Sequence, residues 1–227
     1  MSTYHPARPD YSVLSVNGIS VSFGETVVLT GLDLTVRLGE VVGIVGPNGS
    51  GKSTLLNALS GELPIEKGCI CLDGVEVAGL RSDQRFHLGL RSIPQGATSL
   101  FNSLTVEEHL NLAIRHLPKA ERQRRIDEVL SQVDFLLPLR KKPAAFLSGG
   151  QRQALSIAVA LATDPKVLLI DEPSHGLSVG MRHRVVEWLR KLKSSSRAIV
   201  LAEQFPRIAD TVCDRVYGIK FGSLCPA

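Results

Sequence analysis

The sequence predicts an α/β fold built on a mixed sheet, with an antiparallel β part at the N-terminus and an α-helical subdomain inserted near the middle. Three observations carry this. Short continuous apolar runs, Val41–Val45, Val167–Ile170 and Ala198–Ala202, have the character of strands covered on both faces in a parallel sheet. The second and third each follow a helical stretch, which is the alternation of an α/β chain. Between Gln95 and Leu147 the apolar residues instead recur at helical spacing.

Taken in order, Val13 to Phe23 and Leu32 to Val36 alternate apolar with polar residues and predict half-buried antiparallel strands. Gly68 to Gly74 is a further strand-like run holding Cys69 and Cys71. Thr105 followed by Glu108 predicts a capping box, opening a helix with Val106, Leu110, Ala113, Ile114 and Leu117 on one face. A second helix carries Ile126, Val129, Leu130 and Val133, while Arg122, Arg124 and Arg125 fall on its other, solvated face. Arg190, Lys191 and Lys193 make a similar basic cluster that also reads as a solvated face.

Composition narrows the possible functions. With 227 residues, 44% apolar and 21% charged, the chain can bury a full core and needs no disulfide or metal staple. The longest apolar stretch, Ala154 to Ala162, is about half the ~20 residues that cross a bilayer, so no membrane span is expected. Met1 to Asp10 lacks the apolar core of a secretory signal, which predicts a cytosolic protein with Cys69, Cys71, Cys213 and Cys225 as free thiols rather than a zinc site. A net charge of +4 permits an acidic partner but is too small to single one out.

Gly46-Pro47-Asn48-Gly49-Ser50-Gly51-Lys52-Ser53, followed by Thr54, is a complete phosphate loop between an apolar strand and a helical stretch, and makes the fold a P-loop NTPase core. Glycines let successive N–H groups curl around phosphate oxygens, and the following helix points its positive end at the same anion. Lys52 reaches the β- and γ-phosphates, and Ser53 offers its hydroxyl to Mg²⁺. Asp171, at the end of an apolar strand, is the second carboxylate such a metal needs; Glu172 beside it can polarise an attacking water. Leu147-Ser148-Gly149-Gly150-Gln151 opens another helix, with Ser148 as cap and the two glycines leaving backbone N–H groups open to a second anion. Two phosphate-seeking surfaces in one chain would crowd a single nucleotide, which favours a dimer in which this helix end closes on the partner's ATP.

With GPNGSGKST, LSGGQ and LLIDEP in this order, the chain resembles the nucleotide-binding subunit of an ABC transporter over about residues 12 to 222. The resemblance implies one domain, with a core at about 12–95 and 165–222 and a helical subdomain at about 96–164. Phe23 then stands where the family has an aromatic ring stacking on adenine, and Gln95 where a glutamine senses Mg²⁺ and water and begins the lobe that contacts membrane subunits. Ser148, Gly149, Gly150 and Gln151 would act on the other copy's ATP. The implied partners are permease subunits and a second ATPase subunit, with no nucleic acid. The implied place is the cytoplasmic face of the membrane.

Two positions depart from the family pattern. Ser178 replaces the usual aspartate that links the two sites of the dimer, and Gln204 stands where a histidine would meet the γ-phosphate; His175 lies in a different loop and is no substitute. This combination resembles the ATPases of branched-chain amino-acid, amide and urea importers. The alternative class is a non-transport ABC ATPase, acting in iron–sulfur assembly or on nucleic acid.

Overall fold

The computed structural model describes residues 12–96, 99–193 and 197–226; Met1 to Asp10 and the side chain of Lys193 lie outside the described residues. The alternating N-terminal residues form β1 (Ser12–Phe23) and β2 (Thr26–Arg37), an antiparallel hairpin turned at Gly24, whose φ is 59°. β4 (Lys67–Leu72) adds antiparallel to β1, and the short β5 (Val75–Glu76) completes a sheet of order β2-β1-β4-β5. This antiparallel part is therefore a sheet of its own.

The apolar runs become β3 (Val41–Val45), β7 (Val167–Asp171) and β8 (Ala198–Glu203), and all three lie in a second sheet of order β10-β9-β3-β8-β7-β6. In it β6 (Leu90–Ile93) and β9 (Arg215–Lys220) run parallel with them, and only β10 (Ser223–Pro226) is antiparallel among the described strands. The mixed character thus comes from the C-terminal hairpin. Its members were hard to see in the sequence because neither is a clean apolar run.

Strand periodicity explains why the runs are apolar throughout. Val42, Ile44, Val167, Leu169, Ala198, Val200 and Ala202 face α1 (Lys52–Ser60) and the antiparallel sheet. Their neighbours Val41, Leu168, Ile170, Ile199 and Leu201 face the opposite core, shared with α5 (Gly149–Ala162) and α6 (Val179–Lys193). That core continues into α3 (Val106–Ala113) and α4 (Lys119–Gln132), where Val106, Leu110, Ile114, Ile126, Val129, Leu130 and Val133 are buried as their spacing predicts. α3 ends four residues before Leu117, which packs against the core from the following turn. The Thr105–Glu108 capping box forms, with Thr105 N–H donating to Glu108 Oε2 at 2.7 Å.

The basic face of α4 is less solvated than its sequence suggests. Arg124 is open to water, but Arg125 is mostly covered and pairs with Asp164 just beyond α5. Arg190 donates to Thr211 O at 3.0 Å, tying α6 to the last turn of α7 (Pro206–Val212). α2 (Ser82–His87) brings in Arg85, which is 1% exposed and donates to the carbonyls of Ala58, Leu59, Ala78 and Leu80. Two of those carbonyls belong to the last turn of α1, so a buried cation closes the C-terminal end of the phosphate-loop helix.

Candidate nucleotide site

The C-terminal ends of β3, β7 and β8 converge on one edge of the parallel sheet, the place where open α/β sheets hold ligands. Val45 pairs with Glu203 and Asp171 with Ala202, so Gly46, Glu172 and Gln204 leave the sheet side by side. From β3 the chain enters the loop Gly46–Gly51. Gly46 has to be glycine, since a Cβ there would lie 2.6 Å from Ser50 Oγ and 2.8 Å from Ile219 Cγ2. Gly51 caps α1 with φ 103°, a conformation closed to ordinary side chains. Pro47, Asn48 and Gly49 form the exposed rim, Thr54 lies in the first turn of α1, and Ser53 beside it is exposed.

Lys52 is 4% exposed, and its ammonium donates to Gly46 O at 2.8 Å and Pro47 O at 3.0 Å. The same Nζ lies 3.0 Å from Glu172 Oε1. Glu172 Oε2 accepts from Gln95 Nε2 at 3.0 Å, so one carboxylate joins the phosphate loop to the loop that follows β6. Glu172 itself has φ 43°, unusual for a non-glycine residue, and its N–H donates to Ala202 O on β8 at 2.9 Å.

Asp171 is 7% exposed, and its Oδ1 has no hydrogen-bond partner. Burial pushes its carboxyl above the usual range; the hydrogen bond from Ser53 opposes this, the negative Glu172 adds to it, and Lys52 again opposes. A buried, unpartnered carboxylate oxygen beside an exposed serine hydroxyl is an oxygen donor set suited to Mg²⁺.

Phe23 ends β1 with 52% of its surface exposed, a free ring at the rim of the antiparallel sheet. Ser148, at the other helix opening, accepts from Gln151 N–H at 3.4 Å while Gln151 Oε1 accepts from Ser148 N–H at 2.9 Å, closing a reciprocal cap. Gly149 is exposed with open space where a Cβ would stand, but Gly150 is buried. A Cβ on Gly150 would come within 2.1 Å of Met181 Cγ on α6, so this glycine answers to close packing and does not simply leave its backbone open.

Three further residues, His175, Ser174 and Glu203, take part in the site through contacts that the sequence does not display. His175, in a different loop from Gln204 and no substitute for it, brings its Nδ1 to 3.3 Å from Glu172 Oε2. An i, i+3 spacing from Glu172 was the available signal. Ser174 and Glu203, each 1% exposed, bond to one another; nothing in the pattern of an apolar strand end announces that pair.

Residues 29–175 match the family described as ABC transporter, a stretch that includes the phosphate loop, the Ser148 helix opening and the Asp171–Glu172 pair. The chain belongs to the ABC transporter ATP-binding family. Among its relatives, this cassette is 34% identical over 212 residues to the high-affinity branched-chain amino acid transport ATP-binding protein BraG of Pseudomonas aeruginosa, covering 93% of this chain and 91% of BraG. It is 36% identical over 212 residues to the Nod factor export ATP-binding protein I of Ralstonia nicotianae, covering 92% of this chain and 65% of that protein. Its fold matches the dimeric post-hydrolysis structure of the ATP-binding cassette MJ0796 bound to ADP and Pi, with a TM-score of 0.79, 26% identity, and coverage of 93% and 96%. The cassette is thus a nucleotide-binding ATPase subunit of a transporter, and the rival non-transport classes gain no support from these relatives. No helix among its described residues is long and apolar enough to cross a membrane.

Proposed function

We propose that this cassette binds Mg·ATP in the Gly46–Thr54 loop and hydrolyses it with Glu172 as general base, in a dimer that drives separate permease subunits. The single observation that carries the reading is the convergence of Lys52 and Gln95, each at 3.0 Å, on the buried carboxylate of Glu172. Lys52 is folded onto its own loop, and a triphosphate offers its ammonium stronger acceptors than two carbonyls and a carboxylate. Nucleotide binding therefore draws Lys52 from Glu172 and leaves that carboxylate, steered by Gln95, free to take a proton from water. Ser53 and Asp171, with Gln95 beside them, would hold Mg²⁺, which when bound would supply neutralisation of charge on the phosphoryl oxygens. Gln204 leaves β8 at the same edge and donates an amide hydrogen bond to the γ-phosphate, without the positive charge a histidine could carry. Phe23 stacks on the adenine.

Ser148, Gly149, Gly150 and Gln151 open a helix that caps itself internally, and we assign them to the ATP of a second subunit. The dimeric state of MJ0796 supports this. A groove of about 550 Å³ between α2, β6 and the helical subdomain is lined by Phe86, Arg91 and Pro94, the residue before Gln95, and we take it as the docking place of the permease. We read residues 12–222 as one domain on the cytoplasmic face of the membrane. The cargo we propose is an amino acid, amide or urea, from the likeness to BraG and the Gly176-Leu177-Ser178 and Gln204 pattern.

Replacing Glu172 by Gln keeps shape and removes the base. The variant is expected to bind ATP, to lose nearly all turnover, and to accumulate as an ATP-bound dimer in light scattering. A monomer that hydrolyses at the parental rate would sink the assignment.

A further inference from the structure

We propose that Glu203 and Ser174 form a buried clamp that positions Glu172, a role that rests on Glu172 being the base. Glu203 is the last residue of β8, and Ser174 lies two residues past Glu172. Ser174 donates its backbone N–H to Glu203 Oε1 at 3.2 Å and its hydroxyl to Glu203 Oε2 at 2.9 Å. The residue before Glu203, Ala202, accepts the Glu172 N–H at 2.9 Å. Three hydrogen bonds to the end of β8 therefore grip Glu172 and Ser174, the two residues flanking Pro173 in the neighbouring loop.

That grip has a conformational purpose. Glu172 sits at φ 43°, a region that costs a bulky residue free energy unless its surroundings impose it. Pro173 between the gripped residues has no N–H of its own and cannot help. With the loop released, Glu172 relaxes toward an ordinary backbone conformation, and its carboxylate leaves the point where Lys52 and Gln95 meet it. A buried carboxylate is an expensive way to hold a loop, and among the described residues Glu203 makes no hydrogen bond or ion pair to Lys52 or Gln95. Its expense is explained by what it holds. Because Gln204 follows Glu203 directly, the clamp also ties the γ-phosphate residue to the base loop, so that the two loops move as one unit.

The test uses the full chain assembled with its permease, measuring kcat and the KM for ATP in Ser174→Ala, Glu203→Ala, Glu203→Gln and the Ser174→Ala/Glu203→Ala double variant. Hydrogen bonds to a carboxylate lost from a positioning role are expected to lower kcat by on the order of tenfold or more, with KM within about twofold of the parent. The double variant should lose no more than the worse single one, since both break the same contact. Glu203→Gln keeps an acceptor for the Ser174 hydroxyl and should recover most of the turnover lost in Glu203→Ala. Parental kcat in Ser174→Ala, beside an inactive Glu172→Gln, overturns the clamp alone. Additive losses in the double variant, or a KM that rises with the fall in kcat, overturn it as well. Parental turnover in Glu172→Gln instead removes the base assignment beneath it.

Discussion

A buried acid next to a reacting centre leaves a signature in stability as well as in rate. Burial raises the Glu203 carboxyl above its ordinary value of 4.5, and the bonds from Ser174 only partly offset this. The folded state therefore binds the Glu203 proton more tightly than the unfolded chain does. The resulting stabilisation is complete below about pH 4.5 and is lost as pH rises through the folded value. Gln at this position carries no such dependence. In urea unfolding at a series of pH values, Glu203→Gln should gain on the parent as pH rises from about 4.5 and then hold a constant lead. A difference independent of pH would mean that Glu203 is not raised. At this scale the phosphate loop and the Asp171–Glu172 pair were legible because backbone freedom and adjacent carboxylates are local properties. His175 and Glu203 were not, since their meaning lies in partners three and about thirty residues away.

Elements are held to the site by contacts that local sequence does not display. Gly150→Ala should add helix propensity worth ~1 kcal/mol, but its methyl would meet Met181 Cγ at 2.1 Å. Overpacking of that kind costs ~1–3 kcal/mol, so the clash wins and the melting temperature should fall. Adding Met181→Ala removes the obstructing atoms and is expected to restore part of the loss; no restoration would place the cause elsewhere. Arg85 serves α1 in a comparable way. Arg85→Ala leaves the buried carbonyls of Ala58 and Leu59 without their donor, at a cost of ~1–3 kcal/mol for each group left unpaired. Thermal melts should show a large drop, and equilibrium titration should show weaker ATP binding because α1 begins at Lys52.

For the whole molecule the decisive question is which subunit's nucleotide each surface serves. Ser148 is exposed at the helix opening, so a long cationic side chain there is accommodated in the free chain but not at a closed interface. Ser148→Arg is expected to leave the ATP affinity of the isolated subunit within about twofold of the parent. In the Glu172→Gln background it should abolish the ATP-bound dimer seen by light scattering, and an affinity loss equal to that of Lys52→Ala in the isolated subunit would argue against a composite site.

The α/β class, the buried strands, the Thr105 cap and the phosphate loop were all written in the sequence, because each depends on periodicity or on backbone freedom within a few residues. The tertiary structure decided the rest. It separated the antiparallel strands into their own sheet and placed β10 as the antiparallel member of the other. It brought Gln95 to Glu172 across 77 residues and Ser174 to Glu203 across 29. Those pairings depend on strand order, since β7 and β8 become neighbours only through the crossover between them, and no local pattern encodes which strand lies beside which.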